Sequence, residues 1–198
     1  MHARPLIRLL RASAFLTLLL VAPGAWAQEG TLTHAPTGLI FPAELAGVPR
    51  MRVVDYEQTS NNKALGMSYH DVEHGQIDAS IYVYDANDPP PDGTANPAVA
   101  RQFERAQADI EQVARQTGKY VDLRRIAGPD ACVFGRVAFR CAMFSAKTER
   151  GTPIYTWVLI SGHRGHYVKI RLDWPQDLPA SGVGPDKLVR AFTATGVK

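Results

Sequence analysis

Hydrophobic side chains recur with a helical period in one segment near the middle of the chain. They stand three or four residues apart, and the mostly apolar stripe consists of Val99, Phe103, Ala106, Ile110, Val113 and Thr117. Asn96 is a favourable N-cap, Pro97 suits the first helical turn, and Gly118 suits a left-handed C-cap. The pattern predicts a helix over about residues 97–117 whose apolar stripe must be buried.

Alternation of apolar and polar residues predicts β-strands on both sides of this helix. Apart from a C-terminal hairpin, the predicted strands span residues 38–42, 51–57, 65–72, 77–84, 119–126 and 137–147. A turn is expected at residues 127–130. The strands at 65–72 and 77–84 bring their apolar sets to one face if a three-residue loop with a bulge joins them, so we prefer that register.

The clearest hairpin has strands over residues 154–161 and 166–173. With His163 and Arg164 as the turn residues, Trp157 faces Ile170 and one face of the hairpin is wholly apolar, which supports the pairing. The opposite face carries three polar side chains, namely Thr156, Lys169 and Arg171.

The order of the predicted elements indicates the fold class. Strands, the long helix, more strands and a short helix over Pro185–Thr195 follow one another. This order predicts the α+β class, an antiparallel sheet with one long helix (about 97–117) and a short C-terminal helix packed on it. The proline-rich stretch at 85–95 predicts an exposed crossover. We expect a single α+β domain over residues 28–198.

Residues 1–27 have the features of a cleaved signal peptide. Three arginines precede a short apolar run and a small-x-small motif, at Arg4, Arg8, Arg11, 12–21 and 25–27. Cleavage would leave Gln28 as the first residue, and no later segment is apolar for long enough to cross a bilayer. We therefore expect a periplasmic or secreted protein with no transmembrane segment after signal removal.

The charge distribution argues against nucleic acid as a partner. Three of the 22 basic side chains and none of the 19 acidic ones lie in the leader, so the mature chain has 19 of each. Residues 28–100 carry ten acidic and three basic side chains, whereas residues 101–198 carry nine and sixteen. The two halves are expected to attract each other or to present opposite faces.

Cys132 and Cys141 are the only cysteines of the chain. In an oxidising compartment a pair this close in sequence predicts a structural disulfide. The alternative, a redox or metal pair, lacks both the Cys-x-x-Cys spacing and a resolving cysteine.

One segment matches a catalytic pattern. His70-Asp71-Val72-Glu73-His74 fits the H-x-x-E-H sequence of inverted zinc metallopeptidases, but zinc needs both histidines on one helical face. Here the segment is predicted to leave a strand for a turn, where residues four apart are about 13 Å distant. His163 and His166 flank the other hairpin tip and would share a metal with it only if the tips met. We assign no catalytic, metal-binding or cofactor-binding residue.

Aromatic side chains in the predicted strands could either line a ligand cavity or fill the core. They are Tyr82, Tyr84, Phe139, Tyr155 and Trp157. Spacing of two along strands is typical of core residues, and we favour that interpretation.

The order of elements, the exported setting, the segment Gly38-Leu39-Ile40-Phe41-Pro42 and the closing helix resemble the PsbP-like superfamily. This superfamily includes photosystem lumenal subunits, the periplasmic DcrB group and a Ran-binding nuclear import factor. The resemblance covers nearly all of the mature chain. It implies a non-enzymatic module that docks on or supports other proteins, with no catalytic residues to carry over.

These observations favour an exported, non-enzymatic binding or accessory protein of the cell envelope that docks on another protein. The predicted contact surface combines the hairpin tip with the polar strand face, at His163, Arg164, Lys169 and Arg171. One alternative is a carrier of a small apolar ligand with a cavity between helix and sheet. The other is a metal-dependent hydrolase that uses the two histidine-bearing tips.

Overall fold

The computed structural model describes residues 30–56, 63–71, 77–86, 88–178 and 183–196. Within these ranges the strands are β1 (Leu32–His34), β2 (Leu39–Phe41), β3 (Glu44–Leu45), β4 (Val48–Asp55), β5 (Ala64–His70), β6 (Asp78–Tyr84), β7 (Val121–Phe134), β8 (Val137–Lys147), β9 (Pro153–His163) and β10 (His166–Pro175). The helices are α1 (Pro97–Thr117) and α2 (Pro185–Gly196). The predicted signal peptide lies outside the described residues. No described helix is both long and apolar enough to span a membrane.

Eight of the described strands form one antiparallel sheet in the order β3-β4-β5-β6-β10-β9-β8-β7, and β1 pairs separately with β2. Strands account for 51% of the described residues and helices for 22%. The predicted α+β class is therefore wrong, and the fold is mostly β. The sheet contains more strand residues than predicted, mainly because β7 continues through residues 127–130, where a turn was expected.

Bulges keep β7 in the sheet at the position of the expected turn. The ladder between β7 and β8 shifts register three times, and Gly128 adopts a φ of 85°. A Cβ atom at Gly128 would collide with the carbonyl oxygen of Cys141 on β8. Glycine at this position thus permits a close approach of two backbones within a bent strand.

Helix α1 begins and ends at the predicted residues. The side chain of Asn96 accepts a hydrogen bond from the backbone amide of Ala98 at 2.7 Å, and Gly118 adopts a φ of 70° after the last turn. The buried residues of the helix are Ala98, Val99, Phe103, Ala106 and Ile110. The capping residues and the one-sided apolar stripe therefore indicate the same helix.

The β9–β10 hairpin forms with a register that differs from the prediction by two residues. Its turn residues are Arg164 and Gly165, both at positive φ (49° and 80°), as in a type I′ turn. Trp157 therefore faces Leu172 and not Ile170. A shift of two residues keeps each side chain on its predicted face, because strand side chains alternate with a period of two.

Strands β5 and β6 confirm the preferred arrangement of their apolar sets. Leu65 faces Val83 and Met67 faces Ile81, and all four side chains belong to or pack against one core cluster. The predicted turn between these strands, over residues 73–76, lies outside the described residues.

The two faces of the large sheet are covered by different elements. On one face, β2 and α2 pack over a core that includes Leu159, Ile170 and Phe192. On the other face, α1 packs on β7, β8 and β9, where Val158 and Ile160 are fully buried. The sheet thus separates two hydrophobic cores.

A disulfide joins Cys132 and Cys141 across the end of the β7–β8 hairpin, which confirms the predicted pairing. We expect the double variant Cys132→Ser with Cys141→Ser to lose about 2 to 3 kcal/mol of unfolding free energy, because the unfolded chain is no longer constrained. Urea unfolding measures this loss, and reduction of the unmodified protein should reproduce it.

The variant Ala131→Ser is a matched control, since it places a hydroxyl in the same hairpin and leaves the disulfide intact. A double cysteine variant as stable as this control would show that the cross-link does not stabilise the fold.

Candidate functional site

The sheet face that carries α1 changes from apolar to polar across its width. Beneath α1, β9 presents Val158 and Ile160. On β10, Lys169 lies directly opposite Ile160, so Lys169 and Arg171 occupy the same face. The apolar stripe of α1 packs on the apolar strands. A cleft therefore remains between the helix and the polar strands β10, β6 and β5.

We call this cleft, which has a volume of about 880 Å³, the tyrosine–lysine cleft. It is lined by Tyr56, Lys63, Ala64, Tyr82, Tyr84, Asp85, Ala86, Gln102, Arg105, Ala106, Asp109 and Lys169. Its volume falls within the range of about 300 to 1,000 Å³ that is usual for binding sites. Three phenol rings, cationic groups and two carboxylates make it a polar aromatic site.

Lys169 is a half-buried cation in this cleft. Its Nζ atom lies 4.8 Å from the ring centroid of Tyr82 and 5.7 Å from that of Tyr84. Within the described residues, Lys169 forms no ion pair or hydrogen bond. Burial lowers the pKa of Lys169, the carboxylate of Asp109 opposes this effect, and the nearby Arg171 adds to it. The ammonium group therefore lies against ring faces, and none of its three donors bonds to a described residue.

Gly66 allows two of the rings to lie against the sheet. It pairs with Tyr82 across β5 and β6. A Cβ atom at Gly66 would lie 3.0 Å from the ring of Tyr56 and 3.2 Å from that of Tyr82. The ring centroids of the two tyrosines are 6.5 Å apart. The bare backbone at Gly66 thus gives the rings the room that a side chain would fill.

Arg171 belongs to a polar network beside the cleft. Its Nη2 atom donates to the hydroxyl of Tyr120 at 2.9 Å, and this hydroxyl donates to Asp173 at 2.6 Å. The ammonium group of Lys119 donates to the same carboxylate at 3.0 Å. Burial raises the pKa of Asp173, but the Lys119 charge and the hydrogen bonds outweigh it and hold this pKa below its ordinary value. The guanidinium group of Arg171 is therefore hydrogen-bonded within the fold.

The hairpin tip is held by two other parts of the chain. Arg164 donates from its guanidinium group to the carbonyl oxygen of Thr37 at 2.9 Å, and its backbone amide donates to Asp92. Gly162 and Gly93 exchange two backbone hydrogen bonds of 2.9 Å each. A side chain at Gly162 would collide with the adjacent proline-rich segment. The tip thus joins the β1–β2 turn to the segment that precedes α1.

The structure does not bring the four residues of the predicted contact surface together. His163 pairs with His166, and His163 is only 6% exposed. Lys169 and Arg171 lie on the opposite face, because three positions along a strand reverse the direction of the side chain. Lys169 is the member of the set that reaches the tyrosine–lysine cleft.

The histidines of the H-x-x-E-H segment are only partly described. His70 ends β5 as an exposed residue, whereas Glu73 and His74 lie outside the described residues. Among the described residues, no group of three or more His, Cys, Asp or Glu side chains is arranged to hold a metal ion.

The aromatic residues that sequence analysis singled out separate into two groups. Tyr82 and Tyr84 line the cleft, whereas Phe139, Tyr155 and Trp157 belong to or pack against the core on the other face. The contributions of Tyr56, Arg105 and Asp109 to the cleft were not predicted from the sequence. The residue that could have indicated the cleft from the sequence was Lys169, because its charge lies opposite an apolar position of the neighbouring strand.

No protein-family model matches the chain, and no curated protein matches it either. The resemblance to the PsbP-like superfamily therefore stays a prediction.

A cluster of histidines lies where the β1–β2 hairpin meets the tip. The rings of His34 and His166 pack edge to face, with centroids 5.3 Å apart. His166 contacts the carbonyl oxygen of Arg164 with Nδ1 at 2.9 Å and the carboxylate of Asp85 with Nε2 at 3.0 Å. His166 thus links the hairpin tip to the segment that follows β6.

The environment favours the neutral form of two histidines in this cluster. Burial lowers the pKa of His34, His166 lowers it further, and Asp85 opposes the effect. Burial also lowers the pKa of His163. The charge of Asp92 opposes this lowering, and the charge of Arg164 adds to it. Both pKa values fall below the ordinary 6.5 in the folded state.

We expect stability to decline as the pH falls below 6.5 and through the folded pKa values of His34 and His163. In this window the unfolded chain binds more protons, so the stabilisation that is complete above 6.5 is lost on acidification. Urea midpoints measured across this range test the expectation.

His34→Phe should flatten the pH dependence, because it removes one of the two groups. His70→Gln, at an exposed position on another part of the sheet, should leave it unchanged. Equal slopes for all three proteins would contradict a role for His34.

Proposed function

We propose that this protein is a non-enzymatic binding protein that acts outside the cytoplasm and docks on another protein through the tyrosine–lysine cleft. The observation that carries the proposal is the half-buried ammonium group of Lys169, which lies near two tyrosine rings without a hydrogen-bond acceptor in the described residues.

The composition of the cleft supports a docking role. Tyrosine and arginine are enriched at the energetic centres of protein interfaces, where rigid rings contribute large contact areas. Tyr56, Tyr82 and Tyr84 supply the rings, and Arg105 supplies a guanidinium group from α1. Tyr84 is stacked on Tyr167 at a centroid distance of 5.5 Å. Because these rings are already packed, their binding to a partner costs little conformational entropy.

The disulfide supports the compartment named in the proposal, since such bonds persist where the environment is oxidising. The leader at residues 1–27 supports export into the periplasm or beyond the cell. The resemblance to the PsbP-like superfamily supports a docking module rather than an enzyme.

Site-specific photocrosslinking in the native host tests the docking site. We expect benzoylphenylalanine at Ala64, which lines the cleft, to give one reproducible protein adduct on irradiation. The same group at exposed Thr195 on α2 should give none, because α2 packs against the other face of the sheet.

In the protein that carries benzoylphenylalanine in place of Ala64, the additional substitution Tyr82→Ser should abolish the adduct. Circular dichroism should show that this variant is still folded. The docking proposal would be overturned if folded protein gave no adduct at Ala64, or gave the same adducts at Ala64 and Thr195.

Intact mass spectrometry of the protein isolated from its own host tests export. We expect the mass of residues 28–198 less two hydrogens, because the leader is removed and one disulfide is present. A mass that still includes residues 1–27 would contradict signal cleavage.

A further inference from the structure

The donors of Lys169 indicate the chemistry of the group that the cleft receives. An ammonium group carries three hydrogen-bond donors and no acceptor. The contacts of Lys169 with Tyr82 and Tyr84 attract its charge but satisfy none of these donors. An anionic oxygen placed beside Lys169 would form a charge-assisted hydrogen bond, which is stronger than a neutral one.

The other charges of the cleft leave its cations available to such an oxygen. Asp85 is already 3.0 Å from His166. Asp109 stands exposed on α1, where it acts on Lys169 without forming an ion pair. Arg105 also lines the cleft from α1 and is exposed. Among the described residues, neither Lys169 nor Arg105 has an anionic partner in close contact, so a carboxylate that enters the cleft can pair with both.

The rings indicate what the carboxylate is attached to. Tyr56 and Tyr82 pack against the backbone of Gly66, and Tyr84 is stacked on Tyr167. The hydroxyl of Tyr167 in turn donates to the carbonyl oxygen of Asp88 at 2.8 Å. Rings fixed in this way offer apolar faces that stack on aromatic or aliphatic groups. The cleft thus combines a cationic centre with apolar walls.

We infer that the tyrosine–lysine cleft binds a carboxylate carried by an apolar segment of the partner, namely a Glu or Asp side chain flanked by aromatic or aliphatic residues. This inference rests on the proposed function. The carboxylate lies against Lys169 and Arg105, and the flanking apolar side chains contact Tyr56, Tyr82 and Tyr84.

Two peptides that differ in one functional group test the inference. Acetyl-Phe-Glu-Phe-amide and acetyl-Phe-Gln-Phe-amide are titrated into the mature protein, and binding is followed by NMR. We expect the Glu peptide to bind about tenfold or more tightly, because a hydrogen bond to a charged group in a partly buried site discriminates at this level.

The titration of Lys169 itself provides a second readout. The Glu peptide should raise the pKa of Lys169, observed through the Cε resonance of labelled lysine, because a bound carboxylate favours the ammonium form. The Gln peptide should leave this pKa unchanged.

Two matched variants separate a local effect from a general charge effect. Lys169→Met should remove the preference for the Glu peptide, whereas Lys187→Met on the exposed surface of α2 should keep it. A free acid, 3-phenylpropanoate, and its amide distinguish a small organic acid from a peptide. Equal or tighter binding of the free acid than of the Glu peptide would overturn the assignment to a protein segment.

Failure of the inference and failure of the proposed function give different results. Equal affinity of the Glu and Gln peptides for folded protein overturns the inference, even when crosslinking at Ala64 still identifies a docked protein. Absence of that crosslink overturns the proposed function, whichever peptide binds more tightly.

Discussion

The period of two along β9 and β10 is the constraint on which the rest of the structure depends. On one face this alternation presents apolar side chains such as Leu159 and Ile170, and β2 and α2 cover them. On the other face it changes from Ile160 to Lys169 within a single cross-strand pair. Helix α1 follows the apolar side of this boundary, and the cleft occupies the polar side. The position of the helix and the existence of the cleft therefore have one cause.

Elements whose determining signals are local could be predicted from the sequence. The caps at Asn96 and Gly118 and the stripe between them define α1 within a single segment, so its bounds were predictable. Elements in which a long-range ladder overrides local signals could not be predicted. Gly128 is a good turn residue, yet pairing with β8 keeps β7 extended. At the tip the determining signal is local but was assigned to the wrong position, because Gly165 joins Arg164 at positive φ and the turn lies one residue later than predicted.

The candidate site was predictable only in part, for a related reason. Lys169 stood out because a charge interrupts a hydrophobic hairpin, but Tyr82 and Tyr84 were interpreted as core residues. Their alternation in β6 is the same whether a helix covers that face or leaves it open. Only the order of strands places β6 beside β10, outside the part that α1 covers. Neighbour relations between distant segments thus decide which aromatic residues line the site.

The place of β10 between β6 and β9 has a consequence for how the chain folds as it emerges from the ribosome or from a translocation channel. Strands β3 to β6 emerge early, but β6 has no partner on its outer side until the last strand arrives. An unpaired edge of this kind is a template for pairing with other chains. The contact of Arg164 with Thr37 similarly delays the anchoring of the β1–β2 turn until almost the whole chain is present. The early half of the protein is therefore expected to depend on chaperones for protection during biogenesis.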